Sequence, residues 1–594
     1  MKLTVSKSKN SASFYVQKSI RKPDGTVTSV TIEKLGNLEE VKTKANGQDP
    51  YIWAQNYVNE LNRREYEEAK EVIARFRPSK LIHKNEQKAF NCGYLFLQYI
   101  YFNLGIDKIM KSISKRYSFE YDLNEIFSTL LYTRILYPSS KLASKQQAMK
   151  FLQQPTFELH DIYRALSVLS KENEFIQSEL YKNSRKVIGR RSDILYYDCT
   201  NYFFEIEEED QLRRYGRSKQ HQPLPLVGMG LFMDQDGIPL AFDIYPGNQN
   251  EQPTLKPLEQ RVIKDYGVEQ LVICTDAGLS SAANRRFNDK TRFGERLRSF
   301  VTTQSIKTLP ENLKSFSLST DGWHLIGDNR TYNLNELDPL TDYDKVFYKD
   351  QWVKENLSKE KILKGESPLE QHLIVSFSLK YQAYQRKIRN DQIERAKQIL
   401  QKGQKVKTSK TQNDPNRFIM RCSMTENGEI ADQDAFLLDE NKILEEERFD
   451  GFYAVCTNLE TSIADIIRIN KKRWEIEECF RIMKFEFKAR PVFLQRQDRI
   501  KAHFLTCFSA LLLFRILEKK LGEHFTCDQI LSTLRSMNLL RMDDKQGYLP
   551  AYTRTDLTDA LHETFGFRTD YEIIPEMNMK RIVRNTKQMN YSKK

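Results

Sequence analysis

Length, composition and charge narrow the possibilities before any motif is considered. At 594 residues the chain exceeds what one hydrophobic core holds, about 250 to 300 residues, so several domains are expected. Lysine and arginine number 93 against 80 aspartate and glutamate, and the net charge of +13 allows a polyanionic partner without establishing one. The eight cysteines lie far apart with no Cys-x-x-Cys, which argues against a zinc or disulfide scaffold and fits a reducing cytosol.

Export and membrane insertion are not expected. The N-terminus has no apolar signal region. The longest apolar stretch, 504–517, is short for a membrane span and contains Arg515. We interpret this stretch as a buried helix of a cytoplasmic protein.

The N-terminal part divides into a β-hairpin region at 1–45 and a helical domain at 46–190. In the first region, apolar segments at 14–16 and 27–32 flank the turn signal Pro23-Asp24-Gly25. Helical spacing of apolar residues predicts the helical domain at 46–190. The predicted helices cover 51–75, 94–109, 123–136 (stopped by Pro138) and 161–187.

At 191–305 the pattern changes to that of an α/β sheet. A buried strand at 194–197 leads to Asp198, and a hairpin and a helix follow it. A second buried strand at 270–275 leads to Asp276. This order predicts a sheet in which the fourth strand can lie beside the first. The predicted hairpin covers 226–233 and 238–244, and the helix covers 254–266.

The stretch 306–449 is polar and irregular, and we interpret it as an insertion subdomain. It contains possible strands at 324–326 and 373–378. The sheet pattern resumes at 451–455, within a second part of the core at 450–520, and continues into a long helix at 463–488. A C-terminal helical region at 521–594 follows.

Asp198 and Asp276 are the first candidate site residues. If their strands are neighbours, the two carboxylates emerge together at one edge of the sheet, where open α/β sheets place their sites. The alternative is that each aspartate only caps the turn that follows it.

The long helix supplies a third carboxylate. Spacing places one glutamate and four cations on one stripe, and an apolar stripe lies about a quarter turn away. The alternative is that Glu477 only pairs with Arg473 and Arg481 on a solvated face. The polar stripe comprises Arg473, Glu477, Arg481, Lys484 and Lys488, and the apolar stripe comprises Ile476, Phe480, Met483 and Phe487.

Three carboxylates at one edge suit two divalent cations. Oxygen ligands favour Mg²⁺ or Mn²⁺, and two such ions stabilise both attacking and leaving oxygens in a displacement at phosphorus. Arg473 and Lys484 would then bind the flanking phosphates, and Arg481 and Lys488 on the same stripe are further candidates for DNA contact.

These residues resemble a known family. The string Arg473-Trp474-Glu475-Ile476-Glu477, continuing to Phe480 and Lys484, resembles the Tyr-Arg-Glu-Lys signature of DDE transposases from bacterial insertion sequences, the insertion-sequence-four superfamily. The strings at 198–205, 246–248, 276–279 and 490–493 are also similar, and they match its sixteen-thirty-four branch best.

The resemblance implies a fold and a reaction. The expected fold is a ribonuclease-H-like α/β catalytic domain with a β-rich insertion, a helical DNA-binding domain before it and a C-terminal helical region used for DNA binding or dimerisation. Asp198, Asp276 and Glu477 become the catalytic residues and ligands of two Mg²⁺ or Mn²⁺ ions. The expected activity is cut-and-paste transposition by a homodimer on double-stranded DNA, at terminal inverted repeats and a target, in a nucleoid-associated bacterial protein.

One position departs from the signature. Its tyrosine should fall three residues before Arg473, where this chain has Asn470. An asparagine can hydrogen-bond a phosphate but cannot stack, so the resemblance leaves open whether a hairpin intermediate forms.

A cationic stretch in the insertion is a further candidate for DNA contact. Between residues 380 and 421 there are twelve lysines and arginines against three acidic residues. We predict backbone contacts from Arg386, Lys387 and Arg389. The alternative is a solvated helix. For the whole protein, the alternatives to a transposase are a non-catalytic, domesticated DNA-binding protein and a nuclease of the same fold.

Overall fold

The structure is a computed structural model of the full chain. It describes residues 1–588 except 9–10, 22–25, 69–77, 80, 220–221, 269, 293–294, 358–359, 361, 363–365, 403–405, 407–412, 425–429 and 543–545. The chain forms two compact units. The first comprises 1–87 with 542–547, and the second comprises 88–541 with 548–594. The helical domain predicted at 46–190 is therefore divided between them.

The first unit is a three-stranded antiparallel sheet covered by two helices. The central strand pairs with both of its neighbours, so the predicted hairpin is present with an additional strand before it. The turn signal at 22–25 lies outside the described residues. Phe14 and Val16 are buried under the helices with Val41 and Val58. The elements are β1 Lys2–Ser8, β2 Ser11–Arg21, β3 Val27–Asn37, α1 Leu38–Ala45 and α2 Pro50–Glu68.

The second unit begins with a short strand and six helices. Two of the predicted helices are each divided into two. Gly105 adopts a left-handed conformation (φ 62°) that ends one helix and begins the next, and Glu172 separates the other two. The elements are β4 Ala89–Asn91, α3 Tyr94–Asn103, α4 Ile106–Ser114, α5 Leu123–Leu136, α6 Lys141–Ala148, α7 Leu159–Lys171 and α8 Asn173–Ile188.

A large mixed sheet follows, and the protein is of the mixed α/β class, as predicted. Its first elements are β5 Ile194–Phe203, β6 Leu226–Asp234, β7 Pro239–Pro246, α9 Leu255–Tyr266, β8 Leu271–Thr275, α10 Ala282–Phe287, β9 Lys290–Arg292 and β10 Glu295–Gln304. The next are α11 Glu311–Leu318, β11 Trp323–Leu325, β12 Thr331–Tyr332, β13 Phe347–Lys354, β14 Glu370–Phe377, α12 Leu379–Gln401, β15 Ile419–Met424, β16 Ile430–Leu438, α13 Glu440–Glu447 and β17 Phe452–Thr457.

The strand order is β12-β11-β13-β14-β17-β10-β8-β5-β6-β7, with β9 paired to β10. The predicted neighbourhood of the first and fourth strands is confirmed, because β8 lies beside β5 and runs parallel to it. The predicted strands at 324–326 and 373–378 correspond to β11 and β14. Strand β14 pairs with β17, so β11 to β14 belong to the same sheet as β5 and β8. This part of 306–449 is therefore a continuation of the core sheet and not a separate insertion subdomain.

The remaining elements cover the sheet and complete the second unit. They are α14 Ile463–Lys471, α15 Trp474–Arg481, a π-helical turn Ile482–Glu486, α16 Gln497–Lys520, α17 Cys527–Ser536, β18 Asn538–Arg541, β19 Tyr548–Pro550, α18 Asp556–Phe565 and α19 Glu576–Asn585. The predicted helix at 463–488 is thus interrupted near Lys472 and ends in a turn of different pitch.

Helix α16 contains the apolar stretch 504–517 and forms the centre of the core. It packs on α3, α5, α7 and β7. Within the described residues it is the one helix long and apolar enough to cross a membrane, but 89% of that segment is buried inside the protein. The prediction of a buried helix is confirmed.

A buried ion pair connects the β6–β7 hairpin to the residues that follow α8. The Arg190 and Asp234 side chains are both fully buried, with Nε 2.6 Å from Oδ2. The Arg190 guanidinium also donates to the hydroxyl of Ser184 and to the carbonyls of Ile238 and Pro239. The neighbouring pair of Arg191 with Asp236 is similar in length, but its arginine side chain is 64% exposed.

We expect Arg190→Ala to lower the free energy of unfolding by about 3 to 5 kcal/mol, because it leaves Asp234 as an uncompensated buried charge. The matched control Arg191→Ala should cost less than about 1 kcal/mol, because its ion pair is exposed to water. Urea unfolding followed by circular dichroism measures both. Equal losses in the two variants would contradict the structural role of Arg190.

Candidate active site

The register between β5 and β8 brings two aspartates together. The parallel pairs are Ile194 with Val272, Leu195 with Ile273 and Tyr196 with Cys274. Two residues further along each strand, the same register places Asp198 opposite Asp276. Side chains alternate between faces and neighbouring strands lie about 4.8 Å apart, so the two carboxylates are neighbours on one face.

Asp198 does not end its strand, and this part of the prediction is wrong. Strand β5 continues to Phe203 because it has an antiparallel partner in β6, where Asp198 pairs with Leu231. Only the parallel partner β8 stops, at Thr275. The two carboxylates therefore lie where the parallel pairing ends. Asp198 is within β5, which continues past this point, and Asp276 follows the last residue of β8.

Asp276 follows its strand as predicted, and it also caps the next turn. Its Oδ1 accepts a hydrogen bond from the backbone N–H of Leu279 at 3.0 Å. The alternative interpretation of this residue as a cap is thus correct in part. This hydrogen bond occupies one oxygen of the Asp276 carboxylate and leaves the other oxygen available to bind a cation.

The segment from α14 to the π-helical turn passes over this face of β5. Tyr196 donates to the carbonyl of Ile469 at 3.0 Å, and the Thr200 hydroxyl accepts a hydrogen bond from Lys484. Asp198 lies midway between Tyr196 and Thr200. Helix α15, which carries Glu477, lies along the chain between these two contacts and packs against β5.

Glu477 approaches the pair through an arginine. Its carboxylate is 3.3 Å from Arg473 Nη1, and its side chain is 60% exposed. Burial lowers the pKa of Arg473, but the Tyr453 hydroxyl and the carboxylates of Glu477 and Asp198 outweigh that effect and raise it above its ordinary value. Arg473 therefore lies between the charges of Glu477 and Asp198. Of the two ion pairs in the alternative interpretation of Glu477, the one with Arg473 is present.

The three carboxylates are not gathered around a single point. Within the described residues, one group of three potential ligands has its ligand atoms within 4.8 Å of one another, and it is Asp559, His562 and Asp570. Arg568 bridges both carboxylates of that group, which makes it an ion-pair network. Carboxylates that hold two ions 3.5 to 4 Å apart need no such closeness, since oxygens on opposite ions can lie about 8 Å apart.

Asp198 lies in an environment that raises its pKa. Burial, opposed by Lys219 and reinforced by the charge of Asp276, raises its pKa to about 7. Lys219 donates to the carbonyl of Cys199 at 2.5 Å and lies 3.2 Å from a Glu251 oxygen. The sequence offered no signal for Lys219, because it comes from the irregular loop between β5 and β6.

Lys484 is a second cation close to Asp198, after Arg473. Its amine bonds the Thr200 hydroxyl and sits 5.5 Å from the centre of the Tyr202 ring. Burial, with the positive charges of Arg490 and Lys219, lowers its pKa to about 8. The apolar stripe below is confirmed as buried, with Ile476, Phe480, Met483 and Phe487 all in the core.

The other helix residues predicted to bind DNA are placed less favourably. Asn470 is buried, and its amide donates to the Tyr453 hydroxyl at 3.1 Å. A tyrosine hydroxyl therefore does lie close to Arg473, but it comes from β17. Arg481 is paired with two glutamates, Glu478 and Glu486. Lys488 is exposed in a left-handed conformation (φ 44°) beyond the helix, and its DNA contact stays a prediction.

The cations predicted on the insertion differ from one another. Arg389 has a side chain only 8% exposed, and both Asp450 carboxylate oxygens accept from it at 2.5 Å, so its assignment to DNA binding is wrong. Arg386 is half exposed and lies 3.7 Å from Asp450. Lys387 is exposed on α12, and its DNA contact stays a prediction.

Comparison with known proteins adds little. No protein-family model and no curated protein sequence matches the chain. Among solved structures the chain is similar to one described as the cryo-EM structure of a piggyBac transposase synaptic complex with hairpin DNA. The alignment covers 84% of this chain and 85% of that one, at 8% identity and a TM-score of 0.33. At these values the likeness assigns neither fold nor function.

The raised pKa of Asp198 predicts a pH-dependent cost in the metal-free protein. Because the pKa of this aspartate rises from 3.8 to about 7 on folding, the folded protein loses stability as the pH increases through that interval. We expect Asp198→Asn to be more stable than the wild type, by a margin that widens by about 2 to 3 kcal/mol between pH 5 and pH 8. Unfolding in urea with a chelator at both pH values measures it. A margin independent of pH would contradict the buried, charge-paired environment of Asp198.

Proposed function

We propose that this protein is a DDE transposase that cuts and joins DNA strands at the face of β5. One observation carries the proposal: the parallel pairing of β5 with β8 brings Asp198 and Asp276 close enough to interact, next to Arg473 and the helix that bears Glu477. The resemblance of the sequence to the Tyr-Arg-Glu-Lys signature supports the same reading. In this proposal β7-β6-β5-β8-β10 form the ribonuclease-H-like core.

The donor set fits Mg²⁺ or Mn²⁺. All three candidate ligands are carboxylates, and oxygen donors are what these cations prefer. Two neighbouring carboxylates, one with its pKa raised to about 7, need added positive charge to be ionised together. Asp198, Asp276 and Glu477 would hold the ions. When bound, two such ions supply a nucleophilic oxygen and stabilise the leaving oxygen at phosphorus.

The protein's own cations would position the substrate. Arg473 has a buried Nε without a hydrogen-bond partner in the part of the chain that is described, so a donor remains for a phosphate oxygen. Lys484 also lies close to Asp198 and, with a pKa of about 8, is mostly protonated at neutral pH. A scissile phosphate between them would have both flanking oxygens bound.

The proposed partners are duplex DNA carrying terminal inverted repeats, target DNA and a second copy of this chain. Two active sites are needed to act on two ends, which is the reason for proposing a homodimer in the synaptic complex. Asn470 is buried against Tyr453, so we assign it no contact with the cleaved strand.

Incubation of the protein with a labelled duplex from the DNA that flanks its gene tests the reaction. With Mg²⁺ we expect nicked products and then strands joined to a second duplex, and with a chelator we expect neither. Cleavage without joining would indicate a nuclease. Binding without cleavage would indicate a non-catalytic DNA-binding protein.

We expect Glu477→Gln to reduce cleavage at least about 100-fold, because a lost metal ligand removes several kcal/mol of transition-state stabilisation. Its thermal unfolding should match that of the wild type, since the side chain is mostly exposed. The matched control is Glu478→Gln, whose carboxylate pairs with Arg481, and it should cleave within about threefold of the wild type. Full cleavage by Glu477→Gln would refute the triad.

A further inference from the structure

Arg490 is held between two aromatic rings. It follows the π-helical turn and is partly buried. Its guanidinium carbon lies 5.0 Å from the centre of the Phe203 ring and 5.4 Å from that of Phe485. Both distances are those of cation–π contacts, which restrict the orientation of the guanidinium.

The hydrogen-bonding capacity of Arg490 is unmet. Its Nη1 is buried and, in the part of the chain that is described, makes no hydrogen bond. No carboxylate of the described residues pairs with it. Burial lowers its pKa, and its strongest opposing influence is the hydroxyl of Tyr202. A buried, unpaired donor on a cation is costly unless a ligand supplies the acceptor.

The neighbours of Arg490 add positive charge. Lys484 is close enough for its pKa to be lowered by Arg490, and Lys219 contributes to the same effect. By contrast, Arg481 on the preceding helix has two glutamate partners. Lys219 is paired with Glu251, but no carboxylate of the described residues forms an ion pair with Lys484 or Arg490. These two cations favour an anionic ligand, because the ligand relieves their mutual repulsion.

The cations follow the direction of β5. Lys484 bonds Thr200, two residues beyond Asp198 on the same face, and Arg490 interacts with Tyr202, four residues beyond Asp198 on that face, as well as with the ring of Phe203 at the end of the strand. At a rise of about 3.3 Å per residue, Thr200 and Tyr202 are about 7 Å and 13 Å from the aspartate. They therefore form a track leading away from the carboxylates, and not a single cluster around one phosphate.

We propose that Arg490 binds a phosphodiester group of the DNA strand that enters the site, on the far side of Lys484 from Asp198. The identity of this strand as the one to be cut rests on the proposed function. Phe203 and Phe485 hold the guanidinium in the plane from which it donates two hydrogen bonds to phosphate oxygens. Arg490 acts here as a positioning residue.

The test measures binding of the full-length protein to a fluorescein-labelled duplex of random sequence, in the presence of a chelator, across a series of KCl concentrations. We expect Arg490→Met to lower the slope of log affinity against log salt by about 1, because one phosphate contact is lost. Arg481→Met is the matched control and should leave the slope unchanged, since two glutamates already occupy that arginine. A wild-type slope in Arg490→Met would overturn the proposal.

A second variant guards against misfolding of the first. Arg490→Lys keeps the charge and loses the planar fork, so we expect the wild-type salt slope with affinity weaker by about threefold to tenfold. Wild-type affinity in Arg490→Lys would also overturn the proposal, because the geometry of the guanidinium would then be irrelevant.

The same experiment separates this proposal from the catalytic one. No step of it needs metal or cleavage, so duplex binding can be measured in a chelator whether or not the protein cleaves DNA. A reduced slope in Arg490→Met from a protein that never cleaves DNA would support the phosphate site and reject the transposase. Cleavage with an unchanged slope would do the reverse.

Discussion

Two carboxylates lie side by side because β5 and β8 run parallel in one particular register. A shift of one residue would turn Asp276 to the opposite face from Asp198, since side chains alternate along a strand. The apolar residues before each aspartate, such as Leu195 and Ile273, are buried and resist that shift. The core of the sheet thereby fixes the position of the charges at its edge.

The charges around this pair are arranged in two directions. Toward α15 lie Arg473 and Glu477, and along β5 toward its end lie Lys484 and Arg490. Glu477, near α15, is a third carboxylate. Lys484 and Arg490, along β5, are cations with few acidic partners. Such an arrangement separates the place where cations would bind from the place where a polyanion would lie. It also lowers the stability of the free protein, as functional sites commonly do.

Local patterns predicted much of this site, and non-local pairing determined the rest. Continuous apolar runs identified the strands before Asp198 and Asp276, and helical spacing identified the buried face of Ile476 and Phe480. The end of β5 was missed because it depends on β6, an antiparallel partner that extends past the point where β8 stops. The membership of β11 to β14 in the same sheet was missed for the same reason, since pairing between distant segments leaves no periodicity in either.

Charge counting was the least reliable guide. Arg389 belongs to the most cationic stretch of the insertion, but the structure buries it against Asp450, which lies sixty-one residues away. Lys219 and Arg490 come from irregular segments where spacing carries no information. These cations differ in whether a carboxylate partner lies close to them, and that can be determined only from the folded chain.

The ion pair between Arg473 and Glu477 connects the two halves of the proposed site. Arg473 lies 3.3 Å from a Glu477 oxygen, and a divalent cation bound at that carboxylate would repel the guanidinium and weaken the ion pair. A guanidinium released in this way lies beside Asp198 with its donors free for phosphate. In the proposed function, occupancy of the carboxylates and binding of the strand therefore favour each other through one arginine.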